Sequence, residues 1–275
     1  MNYMKTSIIF VVSLACALVI VGCKEKVFQD VLFYHPPSGK SSKRVPAYAK
    51  DIYEKGDARQ LAIAIASGEI QRVRELLDEN KHLVNVRGKY DITPLWFAVK
   101  KEDSEIVGLL LKNGANPNIK TEWVKPIMVT ACMLDDNQIL SQLLSKGGDP
   151  NTFVEATSDF HIAPSCLSAA ANSRDKERVG MLLDAGADIN RKDLSGSTVL
   201  MGQSVGSINL DMIIYLLEKG ADPTIRDNRG RTVVDHMDYY SAKGDSWKSK
   251  RQPIYEWLVE HGYNLDELRR KEHLY

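Results

Sequence analysis

The sequence predicts an all-α solenoid of about six helix-turn-helix repeats with finger turns, placed after a signal peptide and a flexible linker. Three observations predict it. Paired apolar residues followed by glycine recur as Leu110-Leu111 with Gly114, Leu143-Leu144 with Gly147, Leu182-Leu183 with Gly186 and Leu216-Leu217 with Gly220, with a fainter Leu258-Val259 and Gly262. The glycines lie 33, 39, 34 and 42 residues apart, a near-constant period of the kind that marks stacked repeats. A short polar turn follows each glycine, as in Ala115-Asn116, Ala187-Asp188 and Ala221-Asp222. Composition narrows the function. Lys plus Arg and Asp plus Glu both total 36, a net charge of zero, which argues against a general nucleic-acid binder that replaces phosphate counterions. Four cysteines are too few for a disulfide-built scaffold, and 44% hydrophobic with 26% charged residues is ordinary for a globular chain.

The elements follow in order. Residues 1–22 carry Lys5 and then an apolar run, Ile8–Gly22. The run is shorter than the roughly 20 residues of a spanning helix and fits a signal-peptide core. It ends Ile20-Val21-Gly22-Cys23, which resembles the bacterial lipobox. The resemblance implies cleavage before Cys23 and acylation of that residue, a multi-chain anchor that holds more firmly than one acyl chain. Lys24, where Asp would resemble an inner-membrane retention signal, favours the outer membrane over the inner. Residues 23–56 read as lipidated cysteine and linker, since Pro36-Pro37-Ser38-Gly39 and Pro46 favour open chain.

Residues 57–265 form the array, and residues 266–275 a tail. Leu61–Leu77 reads as a helix pair without a finger. In each later copy the paired leucines are the buried end of a helix, and the glycine takes the left-handed position that stops it. Thr93-Pro94-Leu95-Trp96-Phe97-Ala98 supplies a hydroxyl able to cap a helix and a proline suited to its first turn. Degenerate copies appear at Pro126–Ala131, Ser165–Ala170 and Thr198–Met201, and Asp227-Asn228-Arg229-Gly230-Arg231-Thr232 is a turn motif opening the last copy. These motifs resemble the ankyrin-repeat family, whose T-P-L-H-x-A signature is matched with Trp96 in place of His. Two copies are long, with extra residues at Thr152–Ile162 in a finger and at Asp238–Gln252 between the last two helices. Their aromatics (Phe153, Phe160, Tyr239, Tyr240, Trp247) are anchors if exposed and packing if they fold back.

Gly202-Gln203-Ser204-Val205-Gly206 matches a nucleophile elbow, but that elbow needs a parallel sheet and the repeat register puts Ser204 in a turn between helices, so no catalytic residue is assigned. The six histidines are scattered without zinc-ligand spacing, and no phosphate loop of the G-x-x-x-x-G-K type occurs, so neither a metal nor a cofactor is expected. Cys132 and Cys166 fall in neighbouring first helices at different register. Such helices sit roughly 10 Å apart, beyond the Cα limit of about 7 Å for a bridge, so both are expected as buried thiols. An oxidising compartment keeps a disulfide open as the alternative.

The family resemblance implies protein binding through finger tips and first-helix faces. The candidates by register are Arg87, Lys89, Tyr90, Trp96 and Phe97; Lys120, Glu122, Trp123 and Lys125; and Phe160, His161, Asp193, Arg226, Asn228 and Arg229. For Trp96 the competing expectation is packing at the motif's His position. Exported ankyrin lipoproteins resemble immunity proteins that neutralise type VI secretion phospholipase effectors in the periplasm. That makes another protein, a secreted lipase toxin, the expected partner, with a membrane contact through the acyl chains of Cys23 and a monomer when free. The alternatives are a catalase partner in periplasmic oxidative defence and an envelope scaffold.

Overall fold

The computed structural model describes residues 52–120, 125–154, 165–205, 208–241 and 245–269, without the side chains of 240–241 and 245–250. The signal segment, Cys23, the linker as far as residue 51, Glu122, Trp123, Phe160, His161 and the tail from residue 270 lie outside them. The described residues are helical with short turns. Their one β-contact is an isolated antiparallel bridge between Phe153 and Ser165. The chain divides into two compact units, one ending at Pro94 (and taking in Lys125), the other running from Leu95.

In the first unit, α1 (Asp57–Ser67) and α2 (Ile70–Glu79) pair through Leu61, Ile65, Val73, Leu76 and Leu77, all buried. Packing begins before α1, within the stretch assigned by sequence to the tether. Ile52 and Tyr53 are buried, and the Tyr53 hydroxyl donates to the Ile92 carbonyl (2.7 Å). That contact anchors the turn Gly88–Ile92, closed by Gly88 N–H to Ile92 O (2.9 Å).

In the second unit each copy is a short first helix and a longer second helix. The pairs are α3 (Pro94–Lys101) with α4 (Ser104–Lys112), α5 (Ile127–Ala131) with α6 (Asn137–Ser145), α7 (Cys166–Asn172) with α8 (Lys176–Asp184), α9 (Val199–Gly202) with α10 (Leu210–Glu218) and α11 (Val233–Ser241) with α12 (Asp245–Glu260), closed by α13 (Leu265–Leu268). Local chemistry repeats with the copies. Asp103, Asp136, Asp175 and Asn209 each cap a second helix by accepting a backbone N–H. The glycine at each stop has positive φ (88° at Gly114, 92° at Gly186), and the next residue's N–H reaches back to the first leucine of the pair, as in Ala115 to Leu110 (3.0 Å) and Ala187 to Leu182 (2.9 Å). Leu110, Leu143, Leu182 and Leu216 are all fully buried, a row that ties helix end to core in four copies.

The polar turns also join neighbouring copies. The Asn118 side chain donates to Gly147 O (2.7 Å) and accepts from Asp149 N (2.8 Å). Asn151 does the same with Gly186 O and Asp188 N, and Asn190 accepts from Asp222 N. This ladder satisfies backbone groups that the helix ends leave open. At the end of the array the extra residues expected as a loop between helices instead lengthen the second helix. Ser241 ends α11 and Asp245 already begins α12. Asp238 holds this end together, accepting from Arg251, Arg269 and the Tyr255 hydroxyl (2.6 Å).

The cysteines correct one expectation. Cys132 and Cys166 form a disulfide with Cα atoms 5.4 Å apart. The 10 Å estimate assumed full-length helices side by side. Here α5 has five residues, so Cys132 is already its C-cap, while Cys166 is the first residue of α7, and the end of one helix meets the start of the next. Buried Arg178 braces the same joint from α8, donating to the carbonyls of Cys132 (3.2 Å) and Asp135 (3.1 Å) and to Asn137 Oδ1 (2.7 Å).

Candidate functional site

Two finger turns with one geometry frame a concavity. In the first, Asp193 Oδ1 accepts the N–H groups of Ser195 (2.8 Å) and Ser197 (2.9 Å), and the loop closes by Asp193 N to Ser197 O. In the second, Asp227 Oδ1 accepts those of Arg229 (2.8 Å) and Arg231 (2.9 Å), and Asp227 N bonds Arg231 O. An aspartate is needed at this position because its short carboxylate can fold back onto its own backbone. The two fingers are stitched together. Asn228 donates from its backbone to Ser195 O and from its side chain to Leu194 O, both at 2.9 Å, and Lys192 Nζ donates to Arg226 O (3.0 Å). Gly196, with φ 77°, is in contact range of Asn228 wherever a Cβ would stand, so a side chain is excluded there both by conformation and by space.

Behind the first finger lies a groove of about 680 Å³, floored by residues of α7 and α9 and bounded by the turn at Asn151–Phe153. Its rim is partly apolar, with Leu194, Val205 and Tyr239 all exposed. Its charged lining carries both signs: Asp188 and Asp193 each accept backbone N–H groups through one carboxylate oxygen, while the Arg191 guanidinium stacks over the Phe153 ring (4.3 Å) and donates to Asn151 O (2.6 Å). At the far wall His236 Nε2 sits 3.0 Å from Asp227 Oδ2, which Arg231 also pairs at 2.8 Å. Burial alone would raise the Asp227 carboxyl. The N–H and guanidinium of Arg231, the Arg229 N–H and His236 outweigh it and hold the group at about 2. His236 is pushed below its ordinary value, by burial first and by the Arg231 charge second, which keeps it neutral.

The expected contact residues disperse. Arg87 and Lys89 are exposed and Tyr90 is half-buried on the Gly88–Ile92 turn, where Arg87 pairs with Asp91 (3.2 Å). Trp96 and Phe97 are each only 4% exposed, so they pack in the core of α3 and offer no contact surface. The six residues of α3 from Pro94 to Val99 are all apolar and all buried, and the helix has no free face on which to present two rings. Lys120 is exposed and Lys125 half-buried. Arg226 is structural at its guanidinium, donating to Gly230 O and Glu267 O. Asp193 and Asn228 hold the fingers, and Arg229 projects from the second tip. Of the aromatics in the long segments, Tyr239 is exposed and Phe153 is half-buried under Arg191. Ser204 is fully buried with its hydroxyl donating to Met201 O (2.6 Å), which is a helix-end bond and not a nucleophile's setting. Sequence reasoning passed over Leu194, Val205 and the Asn118, Asn151, Asn190 ladder. The Asn-x-Asn and Asp-x-Asn triplets after Gly114, Gly147 and Gly186 were the signal for the ladder.

Residues 48–121 match the family model described as ankyrin repeats in three copies. Curated relatives are "Ankyrin repeat, SAM and basic leucine zipper domain-containing protein 1" from Saimiri boliviensis boliviensis, 30% identical over 34% of this chain and 19% of that protein, and the same protein of Ateles geoffroyi, 35% identical over 25% and 14%. The chain thus spans at most about a fifth of the length of these relatives. Among solved structures, an ankyrin repeat domain from Acinetobacter baumannii superposes with a TM-score of 0.61 at 23% identity, over 74% of this chain and 98% of that one. A chain of the complex between a predatory endopeptidase of Bdellovibrio bacteriovorus and an immunity protein superposes at 0.59 with 22% identity, over 73% and 98%. At these identities the structures establish the fold alone, and that fold is the ankyrin-repeat array.

Proposed function

We propose that the protein is a membrane-anchored, periplasm-facing binding module that acts as an immunity protein, masking an effector hydrolase that attacks the cell envelope. The observation that carries the binding role is the groove behind the Asp193 finger, where large apolar side chains stay exposed beside cations on a rigid repeat frame. A fixed surface of this kind binds without the ordering cost of a mobile loop. The envelope location rests on the lipobox ending at Cys23 and is supported by the Cys132–Cys166 bridge, since structural disulfides persist in oxidising compartments. The immunity role is supported by the likeness to a chain from an endopeptidase–immunity complex. A type VI secretion phospholipase is the effector that the exported-lipoprotein resemblance favours.

The test is capture with the full lipidated chain, tagged at its C-terminus and solubilised in detergent, from the envelope and secreted fractions of its own strain. Recovery of a hydrolase whose activity falls on binding, with loss of the gene sensitising cells to that hydrolase, is the expected result. Recovery of a catalase, with peroxide sensitivity in the deletion strain, replaces the immunity role with oxidative defence. Unimpaired survival of the deletion strain against its neighbours' effectors removes the immunity role.

A further inference from the structure

We infer that Ile52 and Tyr53, where the chain enters the array, are an external latch that holds the finger Gly88–Ile92 in its presented shape. The latch is independent of the immunity role. Three observations carry it. The first is an exchange of residues within the finger. The later fingers read Asp193-Leu194-Ser195-Gly196-Ser197-Thr198 and Asp227-Asn228-Arg229-Gly230-Arg231-Thr232, each closed by a bond from the first residue's N–H to the fifth residue's carbonyl. Gly88-Lys89-Tyr90-Asp91-Ile92-Thr93 closes in the same way, with glycine and aspartate in each other's places. A glycine at the first position has no carboxylate, so it cannot supply the internal lock that Asp193 and Asp227 supply. The second observation is backbone strain. Left-handed backbone falls on Gly196 and Gly230 in the later fingers, at φ 77° and 74°. In the earlier finger it falls on Tyr90 and Asp91, at 63° and 58°. A Cβ crowds the next carbonyl in this region, so such residues persist only where their surroundings fix them.

The third observation is what fixes them. Ile52 and Tyr53 are only 2% and 3% exposed. The Tyr53 hydroxyl donates to Ile92 O (2.7 Å), the same carbonyl that accepts the closing bond from Gly88 N–H (2.9 Å). A Cβ on Gly88 would run into Ile52 Cγ2 and Tyr53 Cε1, so the missing aspartate is what makes room for the latch. The Arg87–Asp91 pair (3.2 Å) is largely open to solvent and adds little. The lock has moved from inside the finger to a residue 39 positions earlier in the chain. Seated, the latch presents Arg87, Lys89 and Tyr90 in one arrangement. A partner that binds that arrangement favours the seated latch, and release of Ile52 and Tyr53 weakens such a partner by the same factor.

The test is amide hydrogen exchange on the full chain in detergent, read at Gly88 and Ile92 and, for comparison, at Val73 and Leu76 in α2. Tyr53→Phe keeps the ring and removes the bond to Ile92 O. Exchange at Gly88 and Ile92 should then rise roughly fivefold while α2 stays unchanged. Tyr255→Phe removes another tyrosine bond, the one to Asp238, and should leave the finger as it is. Asp91→Gly puts the later fingers' residue at the strained position. Added to Tyr53→Phe, it should return exchange toward the unmodified value, since glycine adopts positive φ without the Cβ penalty. A rise spread equally over α2, no rise in Tyr53→Phe, an equal rise in Tyr255→Phe, or no recovery with Asp91→Gly overturns the inference. The measurement involves neither envelope nor toxin, so failure of the immunity role leaves this result standing, and failure here leaves that role untouched.

Discussion

Two junctions of the array are built differently. Where the copy of α5 and α6 meets the copy of α7 and α8, the joint is covalent and hydrogen-bonded: the Cys132–Cys166 bridge, with Arg178 donating to the Cys132 and Asp135 carbonyls from a buried position. Where the Asp193 finger meets the Asp227 finger, the joint is made of exposed or half-exposed hydrogen bonds, Asn228 to Leu194 and Ser195 and Lys192 to Arg226. The first joint buries both cysteines and the arginine it uses. The second leaves Leu194 and the Lys192 ammonium at the surface of the groove. The difference teaches that stiffness and display are divided along the chain. The groove has one wall held from within and another held only at its edge, and the display side is the one free to vary without unfolding the copies.

Breaking the hidden joint should have the largest effect. Reduction of the bridge, or Cys132→Ser with Cys166→Ser, frees a loop of 34 residues' separation, and the chain-entropy account puts the loss at roughly 3–4 kcal/mol. Chemical denaturation with and without reductant checks this, and a bridge that forms and breaks with no change in midpoint would contradict it. Arg178→Ala comes next. It strips donors from two carbonyls and from Asn137 and leaves buried polar groups unpaired, a loss of about 3 kcal/mol. Arg178→Lys should recover only part, since an ammonium cannot reproduce the guanidinium fork.

The display joint can be sharpened by a pair of glycines with the same backbone and different neighbours. Gly196 and Gly230 occupy matching places in the two fingers, at φ 77° and 74°. An added Cβ at Gly230 meets open space, so Gly230→Ala should cost only the conformational penalty of about 1 kcal/mol. At Gly196 the Cβ runs into Asn228, so Gly196→Ala should cost about 1–2 kcal/mol more and loosen the finger pair. Equal melting points for the two variants would mean that the fingers are not packed together.

The contrast between the junctions also explains what sequence could disclose. Helix ends were legible because their chemistry is local: Leu-Leu-x-x-Gly sets a C-terminal stop and Asp or Asn sets the next start, whatever surrounds them. The same locality made the D-x-x-G-x-T finger readable at Asp227. The bridge was not legible, because it depends on α5 ending at Ala131, one residue before the cysteine, and helix length is the least local property of a short helix. Trp96 and Phe97 misled for a related reason. Their register position allows a surface role, but α3 is enclosed on every side and aromatic area goes inward when it can. Leu194 and Val205 carry no motif at all. Only the fold reveals that two ordinary apolar residues and Tyr239 converge on one groove.

The smallest effect separates the two aspartates that make the fingers. Asp193 serves only its own loop and the neighbouring serines, while Asp227 also holds Arg231 and His236. Because the folded Asp227 is held at about 2, below its ordinary 3.8, its stabilisation is complete above pH 4 and is lost as pH falls toward 2. His236 acts earlier and in the same direction. Its folded value is depressed from 6.5, so below pH 6.5 the unfolded chain takes up a proton that the folded chain refuses, and stability declines as the solution becomes more acidic. Melting curves of the protein and of His236→Gln between pH 7.5 and 5 should therefore converge on acidification, because the variant lacks this proton uptake, while the steeper fall below pH 4 should remain in both. The same experiment with Asp193→Asn, whose aspartate touches no histidine, should leave the gap between pH 7.5 and 5 as in the unmodified protein. If His236→Gln instead runs parallel to the unmodified protein through that range, His236 is not held in its buried place beside Arg231, since burial and the Arg231 charge are what lower it.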